Sequence, residues 1–413
     1  MQALDPRIHS LLDPFLKQSV RVGSTVALGC GDVLGGENIL PGRAVDGEAS
    51  SSEVHIATRA DQCSDSGETL FVLPLHVLNA HLSGSSGDFG FRAMAVLLPL
   101  EPADQDWRLR RTLFDRGLIC IGSARIAESK ALCFLASDAV QSVNTLIVEP
   151  RGHISMRCLT EGAGFANQLF RYCTVKLYAL RHGLAPAFPA WTGRHLFGLE
   201  DKSCQDLDLP QRTYAGFADN DRELWDWDVP PADIDLAGYF QELPECWRQH
   251  RPLLRRMFEL APERRTALDA WHHAVTDGGH RTLVAIHIRR GDYRNYQSDE
   301  LPWCRIVPES WYLDWLRSLW PTLHDPVLYV ATDEPGAILP VFREFNPVSL
   351  DAGGPVLELP SYLRDFEALR RAGHLAICNS SYSRMAAILA PASQRCFLPS
   401  FQTQSFAPYE PWI

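Results

Sequence analysis

The chain is 413 residues long, 46% hydrophobic and 22% charged, with a formal net charge of −11. That length accommodates two or three domains, each with a core of its own. The acidic balance argues against a long nucleic-acid partner, whose phosphates need a basic surface, and leaves room for one small anion held by a local arginine cluster.

The 11 cysteines are odd in number, scattered, and form no Cys-x-x-Cys pair. Residues such as Cys173 and Cys378 sit inside apolar runs, so reduced, buried thiols are expected rather than a disulfide framework. The opening MQALDPRIHSLLDPFLKQSV breaks its apolar residues with charges and prolines, unlike a secretory signal. No run approaches the roughly 20 apolar residues of a membrane helix. The expectation is a soluble cytoplasmic protein.

Residues 1–148 carry short β-like runs (STVALG, TLFVLPLHVL, AMAVLLPL, GLICIGSARI, ALCFLA) between polar or Gly/Ser-rich turns. They predict a β-rich or α/β N-terminal domain. VALGCGDVLGG within it has a faint likeness to a methyltransferase glycine loop that nothing downstream supports. From about Asn144 the texture changes. TLIVEPRGHISMRCL is strand-like, EGAGFA is glycine-rich, and NQLFRYCTVKLYALRHG has helical periodicity closed by Gly183. Strand, glycine turn and helix open a βαβ unit.

The stretch from Trp191 to Asp235, rich in Asp, Trp and Pro, predicts loops with short helices, and Pro244 to His273 predicts helix. Three strands follow, each ending in a polar cluster: LVAIHI before RRGDY, PVLYVA before TDEP, and HLAIC before NSSYS. Parallel strands between helices, with polar groups at their carboxyl ends, predict a doubly wound α/β unit whose ligand lies along that edge.

The first of these clusters carries the chemistry. Arg289 and Arg290 present rigid donor forks that match phosphate oxygens in pairs. Gly291 allows close backbone approach, and Asp292 can orient an arginine. Asn379, Ser380 and Ser381 stand at a helix start, where free amides and hydroxyls cradle an anion. GAGFANQLF, Gly162 to Phe170, does not fit the dinucleotide fingerprint, and no P-loop occurs anywhere. His272, His273 and His280 lack a carboxylate at convincing spacing for a metal. The triplets Asp206/Asp208, Asp226/Asp228 and Asp233/Asp235 read as solvated loop rather than as a cation site.

In this order the motifs resemble the inverting fucosyltransferases that use GDP-fucose, above all the alpha-1,2-fucosyltransferases of glycosyltransferase family 11, with related motifs in alpha-1,6- and protein O-fucosyltransferases. The carriers are Gly164-Phe165-Ala166-Asn167-Gln168-Leu169-Phe170, Gly238-Tyr239-Phe240-Gln241, the heptapeptide His287 to Tyr293, LYVATDEP from Leu328, and DFEALRRAGHLAICNSSYS from Asp365. The likeness spans about Ile154 to the C-terminus. Ala166 stands where that family has glycine, and Tyr382-Ser383-Arg384 replaces a more aromatic run.

The resemblance implies a GT-B-type pair of Rossmann-like domains, at 149–278 on the acceptor side and 279–413 on the GDP-sugar side. It implies transfer of L-fucose from GDP-fucose to a hydroxyl of an oligosaccharide or polysaccharide acceptor, with no cofactor and no metal. Arg290 and Arg289 would contact the diphosphate, and His287 and Asp365 the guanine or its ribose. Ser380 and Ser381 would bind phosphate, with Asn379 beside them. Gly164, Asn167 and Gln168 would approach from the first domain, and Asp333 from the second nucleotide-side strand. Asp292, Asp299 and Glu300 are candidates for the base, each equally readable as an arginine partner or solvated loop. A transferase for another GDP-6-deoxyhexose or a protein acceptor, and a non-catalytic glycan or sugar-nucleotide binder, stand as alternatives.

Overall fold

The computed structural model describes residues 104–412 except 127–128, 145, 147–148, 215–218, 228–229, 297–300, 302–303 and 349–358. Before them it describes residue 78 and five strands. Three sheets follow one another along the chain. The first contains β1 Thr25–Leu28, β2 Ile39–Arg43, β3 Glu53–Ile56, β4 Leu70–Pro74, β5 Ala93–Pro99, β6 Leu118–Ile126 and β7 Ser129–Ala136, in the order β2-β1-β3-β4-β5-β7-β6. β1, β3, β4 and β5 run parallel, whereas β7 is antiparallel to both β5 and β6. The glycine-rich continuation of VALGCGDVLGG beyond β1 lies outside the described residues.

The second sheet is wholly parallel. It orders β8 His153–Ser155, β9 Ala185–Phe188, β10 Lys202–Ser203, β11 Gln211–Thr213 and β12 Ile234–Ala237 as β10-β9-β8-β12-β11. The third contains β13 Thr282–Ile288, β14 Pro326–Thr332, β15 His374–Ala376, β16 Arg395–Ser400 and β17 Ser405–Tyr409, in the order β14-β13-β15-β16-β17, with β17 alone antiparallel. The chain is therefore mixed α/β with two largely parallel sheets in its second and third parts.

The glycine turn after β8 leads into the helix Phe165–His182, buried almost all round, as a run so apolar requires. It stops at Gly183, whose φ of 65° puts it in the left-handed region and lets its N–H reach the Ala179 carbonyl. The segment expected to be loop is more ordered than its composition suggests: it holds β10, β11 and the start of β12. Asp235 lies inside β12 and is fully buried, accepting from Ser155 Oγ at 2.6 Å and from the Arg157 backbone N–H at 2.9 Å. A buried carboxylate survives only with such partners, so the solvated reading fails for this aspartate.

The first region is seated on the second. Arg181 pairs with Asp115 through two bonds of 2.8 and 2.9 Å, and Ser137 Oγ donates to the Gln249 carbonyl at 2.9 Å. The second and third parts share one continuous apolar core. Arg370 Nη1 reaches across it to the Phe258 carbonyl at 2.7 Å, while its Nε donates to Leu389 O at 3.1 Å.

Candidate functional site

β13 is flanked by β14 and β15, both parallel to it, so all three strands end at one edge. That edge gathers Arg289, Asp333 and the turn Cys378–Ser381, as the position of sites in parallel sheets leads one to expect. Opposite it stands the turn that starts the helix Phe165–His182. Between them lies a cleft of about 730 Å³. Gly164, Asn167 and Gln168 line one wall; His287, Arg289, Asp292 and Asp333 line the other. Asp365, Ser380 and Ser381 complete it.

Arg289 is the cation facing this cleft. Its Nε donates to Asp292 Oδ1 at 3.0 Å, and its Nη1 lies 3.3 Å from Asp333 Oδ2. Asp333 also accepts the Arg290 backbone N–H at 3.0 Å, which locks the strand end to its neighbour. Gly291 makes this possible, since a Cβ there would sit 2.6 Å from Asp333 Oδ2.

Arg290 departs from expectation. It is 4% exposed and absent from the cleft wall. Its Nε and Nη2 donate to Glu309 Oε1 at 3.0 and 2.6 Å, Nη2 to the Val307 carbonyl at 2.7 Å, and Nη1 to the Arg289 carbonyl at 3.1 Å. Successive side chains leave a strand on opposite faces, and here that alternation persists two residues past β13. Of the two arginines expected at the diphosphate, only Arg289 lines the cleft. Burial pushes the Glu309 carboxyl up, but the Arg290 hydrogen bond and charge outweigh this and hold it below its usual range.

His287 lies beneath Arg289 on the same strand. Burial, and then the Arg289 charge, drive its pKa down to about 3, so it is a neutral imidazole. Its Nδ1 is 3.2 Å from Cys378 Sγ, and its ring stands 5.2 Å from that of Tyr382. Asp365 accepts the Tyr329 hydroxyl. Burial raises its pKa, and the bond from Tyr329 only partly offsets that.

The helix Ser381–Leu389 begins at the cleft. Ser380 is its N-cap and accepts from the Tyr382 N–H at 3.3 Å. The free amides of that first turn carry partial positive charge. Asn379 is placed differently: it lies outside the cleft wall, with Nδ2 donating to the Arg305 carbonyl at 3.2 Å and its own carbonyl accepting from Tyr293 Oη at 3.1 Å. Glu300 and Asp299 fall outside the described residues.

Three residues in this arrangement have no role assigned from the sequence: Phe165 and Gln241 are named there only as motif positions, and Arg171 is not singled out at all. Arg171 is 5% exposed, and its Nη1 donates to the carbonyls of Cys158, Leu159 and Glu161 at 2.8, 3.1 and 2.9 Å. Its Nε reaches Gly238 O at 2.8 Å, tying the glycine turn to the Gly-Tyr-Phe-Gln segment. Gln241 Nε2 donates to Asn167 Oδ1 at 2.9 Å. Phe165 sets its ring 5.1 Å from Tyr362 and 5.3 Å from Phe366, joining the two walls at the base of the cleft. A lone arginine in the apolar run NQLFRYC was the available signal for Arg171.

Asp206, Asp208, Asp226 and Asp233 are exposed, and Asp228 is outside the described residues. Among the described residues no three His, Cys, Asp or Glu side chains gather as a metal site. No helix among them is long and apolar enough to cross a membrane.

No protein-family profile matches the chain, and no curated protein does. Among solved structures the chain is similar to a NodZ alpha-1,6-fucosyltransferase soaked with GDP-fucose, at 16% identity over 63% of this chain and 99% of that one, with a TM-score of 0.43. A second such structure, fucosyltransferase NodZ from Bradyrhizobium, shares 17% identity over 60% of this chain and 95% of that one, with a TM-score of 0.38.

Proposed function

We propose that the protein is an inverting, GDP-fucose-dependent fucosyltransferase of GT-B type, with the donor diphosphate held in the cleft between the second and third sheets. The observation that carries the reading is the position of Arg289, aimed at the cleft from the end of β13 by Asp292 and Asp333. With the first-turn amides of the helix Ser381–Leu389, it forms an anion cradle built from one fork of donors and one helix start. The His287–Tyr293 heptapeptide supplies the likeness to GDP-fucose enzymes, and the alpha-1,2 linkage rests on that likeness.

Leaving GDP takes the bonding electron pair of the anomeric C–O bond while the acceptor hydroxyl oxygen bonds to the anomeric carbon. Charge therefore grows on the β-phosphate, where preorganised donors lower the barrier. Arg289 and the helix amides carry this counter-charge with no metal assigned to the step. As Arg289 turns to the phosphate it loosens its hold on Asp292, which is then free to take the acceptor's proton. Neutral His287 and Asp365 face the nucleoside.

Calorimetric titration with GDP, UDP and ADP, with and without magnesium, tests the donor. GDP binding independent of magnesium and lost in Arg289→Ala is expected. Preference for UDP with metal, or an Arg289→Ala variant that binds GDP normally, would overturn the reading.

A further inference from the structure

The cleft between the second and third sheets carries less positive charge than a diphosphate calls for. Of the charged side chains that line it, Arg289 stands against Asp292, Asp333 and Asp365, and His287 is neutral. Burial raises the pKa of Asp365, yet even with that carboxyl left out the lining is one cation against two carboxylates. Arg290 brings no surplus, because Glu309 neutralises it. A diphosphate entering such a cleft gains little Coulomb energy unless more positive charge stands behind the walls.

Arg171 is placed to supply it. The side chain is 5% exposed, and its hydrogen-bond partners are four backbone carbonyls, those of Cys158, Leu159, Glu161 and Gly238. Among the described residues it forms no ion pair. Carbonyl dipoles make a buried cation tolerable, but they leave its net charge uncancelled.

The surroundings of Arg171 direct that charge at the cleft. The Glu161 carbonyl it holds belongs to the residue immediately before Gly162, and Asn167 precedes it by one helical turn. Gly162 and Asn167 both line the cleft, on the wall opposite Arg289. On another side the Tyr239 ring covers the guanidinium, with its centroid 4.7 Å from Cζ. Salt screens such an enclosed charge far less than it screens Arg289, whose side chain is 37% exposed.

We propose that Arg171 is a positioning residue and remote counter-charge for the diphosphate, turning three carbonyls of the glycine turn towards itself and adding a unit of positive charge behind the wall opposite Arg289. It touches no part of the donor. This rests on the donor reading above and adds to it a second source of charge.

Calorimetry with GDP and guanosine on the full-length protein tests the proposal, because the two ligands differ only in the diphosphate. Wild type should keep its preference for GDP in about 1 M salt, where exposed charges are screened beyond about 3 Å. Arg171→Gln should bind GDP about tenfold more weakly, with guanosine affinity within about twofold of wild type. Arg171→Lys restores the charge without the fork and should recover most of the lost GDP affinity. A folded Arg171→Gln that binds GDP as wild type does, or that loses guanosine as much as GDP, overturns the proposal. An Arg171→Lys as weak as the glutamine variant does so too. Should neither variant fold, the salt series on wild type decides, and a preference for GDP that vanishes at about 1 M overturns it. If wild type shows no preference for GDP over guanosine even at low salt, the donor reading itself falls.

Discussion

Glu309 Oε1 lies 2.6 Å from Nη2 of Arg290 and 3.0 Å from its Nε, so the second arginine of the heptapeptide is a structural cation. Removing one partner of an enclosed ion pair strands the other and leaves the Val307 carbonyl without its donor. Arg290→Ala should therefore destabilise the fold by about 2–3 kcal/mol, below the range for fully enclosed pairs because Glu309 is 36% exposed. Chemical denaturation measures this. Arg290→Ala with unchanged stability and abolished GDP binding would reverse the assignment of the two arginines.

Arg289 should behave in the opposite way. Its carboxylate partners are an exposed Asp292 and a part-buried Asp333, so Arg289→Ala is expected to change stability by less than about 1 kcal/mol. Turnover should fall by about two to three orders of magnitude, the loss typical of one preorganised donor at a developing charge. Thermal melts and initial rates on the same preparation separate these effects.

Asp292 competes with any phosphate for the Arg289 guanidinium. In Asp292→Asn the competitor is neutral, so GDP should bind up to about fivefold more tightly, the worth of one exposed ion pair. Turnover should nevertheless drop, since the amide accepts no proton. Calorimetry and rate measurement together check both directions.

Gly291→Ala brings a methyl against Asp333 Oδ2. The carboxylate must rotate, giving up both Arg289 and the Arg290 N–H. GDP affinity should fall about tenfold, with secondary structure unchanged by circular dichroism.

Acid stability follows from three buried histidines. Burial, with nearby arginine charge, lowers His287 to about 3 and His182 to about 2; burial lowers His250 to about 4. In the unfolded chain each would titrate near the ordinary 6.5. Below that pH the unfolded state binds protons the folded state refuses, so stability falls as pH drops. The slope approaches about 1.4 kcal/mol per pH unit for each histidine, until its folded pKa is reached. Glu309, held low, adds stability above its unfolded value that is lost on further acidification. Denaturation midpoints between pH 7 and 4 measure the slope, and a flat profile would contradict it.

The strands β13, β14 and β15 were legible because VAIHI, LYVA and HLAI are apolar runs that end abruptly in polar residues, which is how a buried parallel strand must look. The helix closing at Gly183 was legible for a similar reason. The direction of each arginine was not. Two adjacent identical residues carry no mark of which face each takes, and Glu309, the partner that decides it, lies 19 positions away. Asp235 was misread because an Asp-x-Asp triplet in a polar neighbourhood says nothing of Ser155 and Arg157, which reach it from β8 and the turn that follows, 78–80 positions away.

The ring of Phe165 has one further consequence. It belongs to the helix that follows β8, yet it packs on Tyr362 and Phe366 of the third part, beside Tyr382, which stands 5.5 Å from Phe366. Neither half can lose its order without exposing this seam to water on the other. The two halves should therefore melt in a single cooperative transition, with the calorimetric enthalpy matching the van't Hoff value for residues 150–412 as one unit.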